Sequence, residues 1–175
     1  MTDTMTPDAA ADARPTDPVV VAWPSFEDFV AAKQDALQNF AFLMIGNRDD
    51  ARDAVQDALA GALRHWDRAQ RGPGAYVRRS IVNAHISAFR KRRREIPSDD
   101  VGGPPVDAPG PDTLWVRQMC NALPPKQRAA IVMRYFEDRT FAEIGQALGY
   151  SEGSARSLVT RAVATLRQSG LGEER

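Results

Sequence analysis

The chain has 175 residues, of which 43% are hydrophobic and 26% charged, a composition typical of one medium or two small folded domains. Its one cysteine cannot form an intramolecular disulfide, and its two histidines form no cluster with metal-ligand spacing, so we expect no metal and no other cofactor. No stretch approaches the roughly 20 apolar residues that span a bilayer, and no signal-peptide pattern is present. These features predict a cytoplasmic protein that does not contact a membrane.

Charge is segregated along the chain, although 23 basic and 23 acidic residues give a net charge of zero. Residues 68–94 carry nine cations and no acid, and residues 115–175 sum to +3. Residues 25–67 and 95–114 sum to −4 and −5. This distribution predicts a nucleic-acid surface beside acidic surfaces that would repel DNA and could contact a protein.

The N-terminal part of the chain changes character at Ser25. Residues 1–24 offer little apolar surface to offset the entropy of ordering, so we expect a disordered tail. From Ser25 apolar residues recur at intervals of three and four, which predicts an amphipathic helix that Gly46 ends. Asn47 is predicted to cap a second helix. The predicted apolar stripe of that helix is Ala51, Ala54, Val55, Ala58, Leu59, Ala62, Leu63 and Trp66.

A turn at residues 71–74 precedes a third predicted helix, which completes a first folded unit at residues 25–94. Its apolar positions are Tyr76, Val77, Ile81, Val82, Ile86 and Phe89. A polar series in the same segment would form one stripe if the helix is continuous. Such a stripe could contact phosphates along its length and use one amide to read a base. An interruption of the helix near Asn83 is the alternative. This series is Arg79, Asn83, Ser87 and Arg90. The following cations, up to Arg94, favour nucleic-acid contact over a merely soluble helix end because residues 68–94 contain no acid.

Residues 95–111 hold five prolines and three glycines without sustained periodicity, which predicts a flexible linker. A second folded unit is predicted at residues 112–168, before a short tail at residues 169–175. Within it, a helix can run from Pro125 to Glu137. The apolar positions of that helix are Ile131, Val132, Tyr135 and Phe136. No segment alternates with period two for long enough to form a strand, so the predicted fold class is all-α, with two small helical domains.

Residues 140–168 carry the pattern of a helix-turn-helix. Thr140 and Glu143 predict a capping box, Gly149 a left-handed helix end, and Ser151 the cap of a longer second helix. A plain helical hairpin is the alternative, but the caps, the turn glycine and the small polar residues agree with one another. The residues predicted to face the DNA groove are Ser154, Arg156, Ser157, Thr160 and Arg161.

One face of the second predicted helix is acidic and polar. Asp53, Gln56 and Asp57 stand at positions i, i+3 and i+4 and therefore share a face opposite the apolar stripe. Such a face is unsuited to DNA; it is either solvated or an interface for a basic partner.

Several segments resemble the extracytoplasmic-function group of RNA polymerase sigma factors. Residues 123–136 and 141–145 are similar to the sigma domain that reads the minus-thirty-five element, although LuxR-type regulators share parts of that pattern. Residues 53–58, followed by Trp66, resemble the polymerase-binding helix. Residues 76–83, with the basic run after them, resemble the segment that melts and reads the minus-ten element. The chain is identified as a member of the group, similar to its actinobacterial SigE-like branch.

The resemblance implies partners and roles. Core RNA polymerase would contact Asp53, Gln56 and Asp57, and Asn83 would lie beside a pocket for a flipped base of the non-template strand. The partners would then be core polymerase, duplex DNA at minus thirty-five and single-stranded DNA at minus ten, with an anti-sigma factor left open. The residues implied at minus ten are Arg79, Asn83, Ser87, Arg90, Lys91, Arg92 and Arg93.

Other classes of function fit less well. The sequence has no phosphate-binding glycine loop and no nucleophile with a base and an orienting group, so we expect neither an enzyme nor a small-molecule substrate. The serious alternative is a conventional helix-turn-helix regulator that binds duplex DNA as a dimer.

Overall fold

The computed structural model describes residues 23–95 and 111–170, and within them the secondary structure is helical, without strands. The all-α fold class is confirmed. The first four helices, which we call the N-terminal unit, are α1 (Phe26–Ile45), α2 (Arg48–Arg64), the short α3 (Trp66–Ala69) and α4 (Pro73–Glu95). Most of the predicted N-terminal tail, linker and C-terminal tail lies outside the described residues.

The remaining helices form the C-terminal unit. They are α5 (Pro111–Ala122), α6 (Pro125–Ile131) with a π-helical turn (Val132–Phe136), α7 (Phe141–Leu148) and α8 (Glu152–Gln168).

Helix α1 begins and ends, and helix α2 begins, at the residues that the sequence indicates. The Ser25 hydroxyl accepts the backbone N–H of Asp28 at 3.1 Å, and Gly46 ends α1 with a φ of 83°. Asn47 caps α2 by accepting the N–H groups of Asp49 and Asp50 at 2.9 and 3.0 Å. Side-chain acceptors at these positions satisfy donors that the helix leaves unbonded.

The predicted stripe of α2 needs a correction at its end. Leu63 is 53% exposed, and α2 ends at Arg64, so that Trp66 begins α3 instead. The buried face of α2 consists of Ala51, Val55, Ala58 and Ala62. Leu63 follows Ala62 and is therefore rotated by about 100° from this face. The Trp66 ring still packs into the core, edge-on to Phe26 with centroids 5.5 Å apart.

The helix predicted from Pro125 to Glu137 ends earlier in the structure, at Ile131. After Ile131 the chain makes a π-helical turn, in which Tyr135 and Phe136 are 61% and 50% exposed. The wider turn changes the angular spacing of side chains, so the 3.6-residue period extrapolated from Ile131 no longer directs these rings inward.

The two units pack against each other, which the sequence does not indicate. Helix α4 is unbroken and contacts both α6 and α7, and one apolar cluster includes residues of both units. Val77 and Ile81 of α4 are fully buried in it, as are Met133 and Ile144 of the C-terminal unit. Helix α4 therefore contributes one face to the shared core and presents another to solvent.

Candidate nucleic-acid and polymerase interfaces

The predicted capping box of α7 is present. The Thr140 hydroxyl accepts the N–H of Glu143 at 3.2 Å, and the Glu143 carboxylate accepts the N–H of Thr140 at 2.8 Å. Burial acts to raise the pKa of Glu143, but hydrogen bonds from Thr140 and from Arg139 outweigh it and lower the pKa below its usual value. The carboxylate is thus ionised at the helix start, where negative charge is favourable.

The turn between α7 and α8 depends on two glycines. Gly149 ends α7 with a φ of 75°, a conformation that a residue with a Cβ adopts only with strain. A Cβ on Gly145 would lie 2.6 Å from the carbonyl oxygen of Tyr150, so only glycine allows this close approach. Ser151 then caps α8 by accepting the N–H of Ser154 at 3.1 Å. The arrangement is a helix-turn-helix, with α8 as its second helix.

Helix α8 separates a buried face from a polar one. Its buried residues are Ala155, Val159, Ala162 and Leu166, and all five residues predicted to face DNA are exposed. The hydroxyls of Ser157 and Thr160 donate to backbone carbonyls one turn earlier, both at 3.0 Å. These oxygens keep acceptor capacity for a partner.

Helix α4 brings the predicted minus-ten residues onto one surface. Because the helix does not break at Asn83, the stripe of Arg79, Asn83, Ser87 and Arg90 is continuous, and each of these residues is exposed. Lys91 is also exposed and Arg92 is half-buried. The side chain of Arg93 lies outside the described residues.

Arg78 does not belong to this surface, although it lies in the basic segment. It is 5% exposed, and its Nε donates to the two carboxylate oxygens of Glu137 at 3.1 and 2.8 Å. A further bond goes from Arg78 to the carbonyl of Gly74 at 3.0 Å. This ion pair joins the N-terminal unit to the C-terminal unit. Arg78 precedes the buried Ile81 and Val82 by three and four residues and so shares their face of α4, whereas Arg79 lies on the polar stripe.

A second buried arginine joins the units from the other side. Arg128 of α6 is 3% exposed and donates to the carbonyl oxygens of Met44 and of Leu123, the latter at 2.9 Å. Its guanidinium lies 3.3 Å from Nε2 of His85. Burial, with the charges of Arg128 and Arg92, lowers the pKa of His85 to about 4, which keeps the imidazole neutral. The position of Arg128 three residues before Ile131, on the apolar face of α6, is the signal that sequence reasoning missed.

The acidic face of α2 is exposed. Asp53, Gln56 and Asp57 all face solvent, beside a cleft of about 370 Å³ between α1 and α2 that Gln56 helps to line. Leu63 follows Gln56 by seven residues and therefore lies on the same side of the helix. The face combines acidic groups with one exposed apolar side chain, a mixture that suits a protein partner.

A second surface, which exposes several apolar side chains, lies on the C-terminal unit. The rings of Trp115 and Phe136 pack with centroids 5.6 Å apart, and Leu114, Tyr135 and Phe136 are each at least 50% exposed. Neighbouring exposed apolar residues often mark protein contacts. Sequence reasoning placed Tyr135 and Phe136 on the apolar stripe of a regular helix and so missed the surface.

Residues 23–95 and 111–170 also bear on metal binding and on membrane insertion. No group of three or more His, Cys, Asp or Glu residues there could hold a metal ion. None of the helices described is both long and apolar enough to cross a membrane.

The surfaces and the fold define a DNA-binding transcription protein with two helical units. The Sigma-70 region 2 family model matches residues 29–95, and the Sigma-70, region 4 model matches residues 121–168. The RNA polymerase sigma-E factor of Streptomyces coelicolor is 33% identical over 149 residues, which cover 82% of this chain and 84% of that protein. The ECF RNA polymerase sigma factor SigE of Mycolicibacterium smegmatis is 28% identical over 83% of this chain and 62% of its own length.

A solved structure agrees with these matches. The sigma factor RpoE of Bartonella quintana, in complex with the anti-sigma factor NepR, superposes with a TM-score of 0.66 and 25% identity, covering 85% of this chain and 98% of that one. The chain belongs to the extracytoplasmic-function sigma factors. The family prediction is confirmed, and a conventional helix-turn-helix regulator is not favoured.

Proposed function

We propose that the chain directs core RNA polymerase to promoters through α8 and α4 and assists strand opening through α4. The observation that carries this proposal is the presence, in one chain, of an exposed polar stripe on α4, a separate helix-turn-helix and an acidic face on α2. A duplex-binding regulator needs only the second of these. The protein would act in the cytoplasm as a non-catalytic subunit, with residues 25–94 and 112–168 as its two domains.

The acidic face of α2 would contact core polymerase. Asp53, Gln56 and Asp57 are exposed and point away from the core of the N-terminal unit, so their charges are available to a basic helix. Leu63 would add apolar contact at the end of the same face.

The stripe on α4 would hold the melted minus-ten strand. The exposed cations supply phosphate contacts without sequence preference, and the Asn83 amide offers a donor and an acceptor to an unstacked base. The exposed cations in this role are Arg79, Arg90 and Lys91, with Ser87 as a smaller polar contact on the same helix. The half-buried Arg92 and the neighbouring Arg93 are assigned the same role from the sequence.

Helix α8 would read the minus-thirty-five element in the major groove. Arg156 and Arg161 are two exposed cations of its polar face, and Ser154, Ser157 and Thr160 present hydroxyls beside them. An anti-sigma factor is a further partner, supported by the complex in which the related Bartonella quintana protein was solved.

Reconstituted transcription tests the proposal. The full chain and core polymerase are mixed with a pool of linear templates randomised over the two promoter elements, and run-off products are sequenced. We expect transcripts that depend on the chain and share sequence at both elements, with one copy of the chain per polymerase. Dimeric binding to paired half-sites on duplex DNA, without any chain-dependent transcript, would establish the regulator alternative instead.

A further inference from the structure

The aromatic ring of Phe141 lies between the recognition helix and the π-helical turn, in contact with two arginines. Phe141 is the first residue of α7, directly after the capping residue Thr140, and its ring is partly buried. The guanidinium carbon of Arg156 lies 4.4 Å from the ring centroid, and that of Arg134 lies 4.8 Å from it. Both distances are within the range of cation–π attraction.

Each arginine is held at a second point. Arg134 donates to the carbonyl oxygen of Arg139 at 3.0 Å, so the ring packs on a guanidinium that is itself fixed. Arg156 donates to the Glu152 carboxylate one turn earlier on α8, at 3.4 Å. The ring therefore restrains the plane of the Arg156 guanidinium, and Glu152 restrains one end of it. Stacking uses the face of a guanidinium and leaves its edge donors for hydrogen bonds.

Arg161 provides a contrast on the same exposed face. Its Nε donates to the carbonyl oxygen of Ser157 at 3.3 Å, and among the described residues no aromatic ring packs against it. A long side chain without such support loses more conformational freedom when it is fixed by a partner. Arg156 is thus restrained by a ring face and a carboxylate before DNA arrives, whereas Arg161 is restrained by one backbone hydrogen bond.

We propose that Phe141 is a positioning residue, which orients Arg156 for reading a base pair of the minus-thirty-five element. This inference rests on the proposed function, because it assumes that α8 contacts that element. Bidentate recognition of a guanine edge requires the guanidinium in one plane, so orientation matters more for base reading than for contact with a phosphate. Phe141 thus influences sequence preference through Arg156.

A double-mutant cycle in reconstituted holoenzyme tests the inference. The probe is a duplex library randomised across the minus-thirty-five region, from which the wild-type holoenzyme selects its preferred sequence. Phe141→Leu keeps an apolar side chain but removes the ring face; we expect affinity for the selected sequence to fall about two- to fivefold and preference at one base pair to weaken. In an Arg156→Ala background the same substitution should have no further effect. Phe141→Tyr, which keeps the ring, should restore both affinity and preference.

Controls separate positioning from folding. Phe42→Leu removes another ring on which an arginine stacks, Arg48 at 4.8 Å, but in the N-terminal unit, and should leave base preference unchanged. An equal loss from Phe141→Leu with and without Arg156 would overturn the inference, since the ring would then act only structurally. Tighter binding by Phe141→Leu would also overturn it, because the stack would then withhold Arg156 from DNA. If the wild-type holoenzyme selects no sequence at all in this region, the proposed function fails first.

Discussion

Arg78 and Arg79 are adjacent in one basic segment but occupy opposite environments. Arg78 is 5% exposed and binds Glu137 across the contact between the two units. Arg79 is exposed on the polar stripe of α4, although its guanidinium reaches to within 2.9 Å of where a Cβ on Gly149 would stand. The comparison teaches that charge density in a sequence does not separate cations that hold units together from cations available to DNA.

Arg128 and Arg156 of the C-terminal unit show the same division between a buried and an exposed cation. Arg128 is buried and donates to two backbone carbonyls, whereas Arg156 is exposed and supported by one aromatic ring. Burying a charge has a large cost unless it is paired and hydrogen-bonded. We therefore expect substitutions at the inter-unit contact to affect stability and those on the exposed faces to affect binding.

The largest expected effect comes from breaking the buried ion pair. Glu137→Gln leaves Arg78 buried without a countercharge, which we expect to reduce the free energy of unfolding by about 3 kcal/mol. Equilibrium urea unfolding of the full chain measures it. The matched control is Glu152→Gln, which removes the partner of Arg156 in a pair whose side chains are 54% and 57% exposed; that change should be at most about 0.5 kcal/mol. Equal losses of unfolding free energy from the two substitutions would mean that the buried and the exposed ion pair contribute alike to stability.

His85 should make the free energy of unfolding depend on pH, and the total change should be similar to that expected for Glu137→Gln. Its pKa is about 4 in the folded chain against an ordinary value of 6.5, because of burial and the nearby Arg128 and Arg92. As pH falls below about 6.5 the unfolded chain binds a proton that the folded chain does not, so stability falls until about pH 4. The difference corresponds to about 3 kcal/mol in total.

Unfolding measured across this pH range tests the assignment. His85→Gln should flatten the slope of the unfolding free energy against pH between pH 6.5 and pH 4. A slope that persists in His85→Gln would mean that carboxylates, and not this histidine, dominate the dependence.

Local signals in the sequence predicted five helix ends correctly, but not the ends of α2 and α6, and they gave no indication of the long-range contacts. Gly46, Asn47, Thr140, Gly149 and Ser151 all act as caps or helix ends in the way that their residue types indicate. Each of these roles involves atoms within a few residues, so composition and spacing are sufficient to predict it.

The contact between the units needs information of another kind. Arg78 and Glu137 are 59 residues apart, and Arg128 and Met44 are 84 apart. No periodicity within one helix indicates such a pair. The exposure of the residues predicted on α2, α4 and α8 follows from their apolar stripes, but their roles toward polymerase and DNA stay predictions.

The acidic face of α2 provides the largest expected effect on binding. Asp53→Lys with Asp57→Lys should weaken binding to core polymerase at least about a hundredfold, because like charges would meet across the interface. Both residues are exposed, so unfolding should be unaffected. Asp35→Lys with Asp67→Lys makes the same change in net charge at exposed positions elsewhere in the unit. A titration of labelled core polymerase compares the two pairs, and similar weakening by both would mean that net charge alone is responsible.

The smallest expected effect is at Asn83, and it is the most specific. Asn83→Ala removes a hydrogen-bond donor and an acceptor from the α4 stripe. It leaves the preceding residues Ile81 and Val82, which are buried in the core, unchanged. The loss of hydrogen bonds to one base should reduce open-complex formation about three- to tenfold and relax preference at a single minus-ten position. Arg79→Ala removes a cation one turn away and should instead weaken all promoters alike, with a smaller dependence on salt. Permanganate footprinting of the melted region, on templates that differ at each minus-ten position, distinguishes a base contact from a phosphate contact. If Asn83→Ala and Arg79→Ala give the same uniform loss, the stripe is a phosphate track along its whole length and sequence reading at minus ten resides elsewhere in the chain.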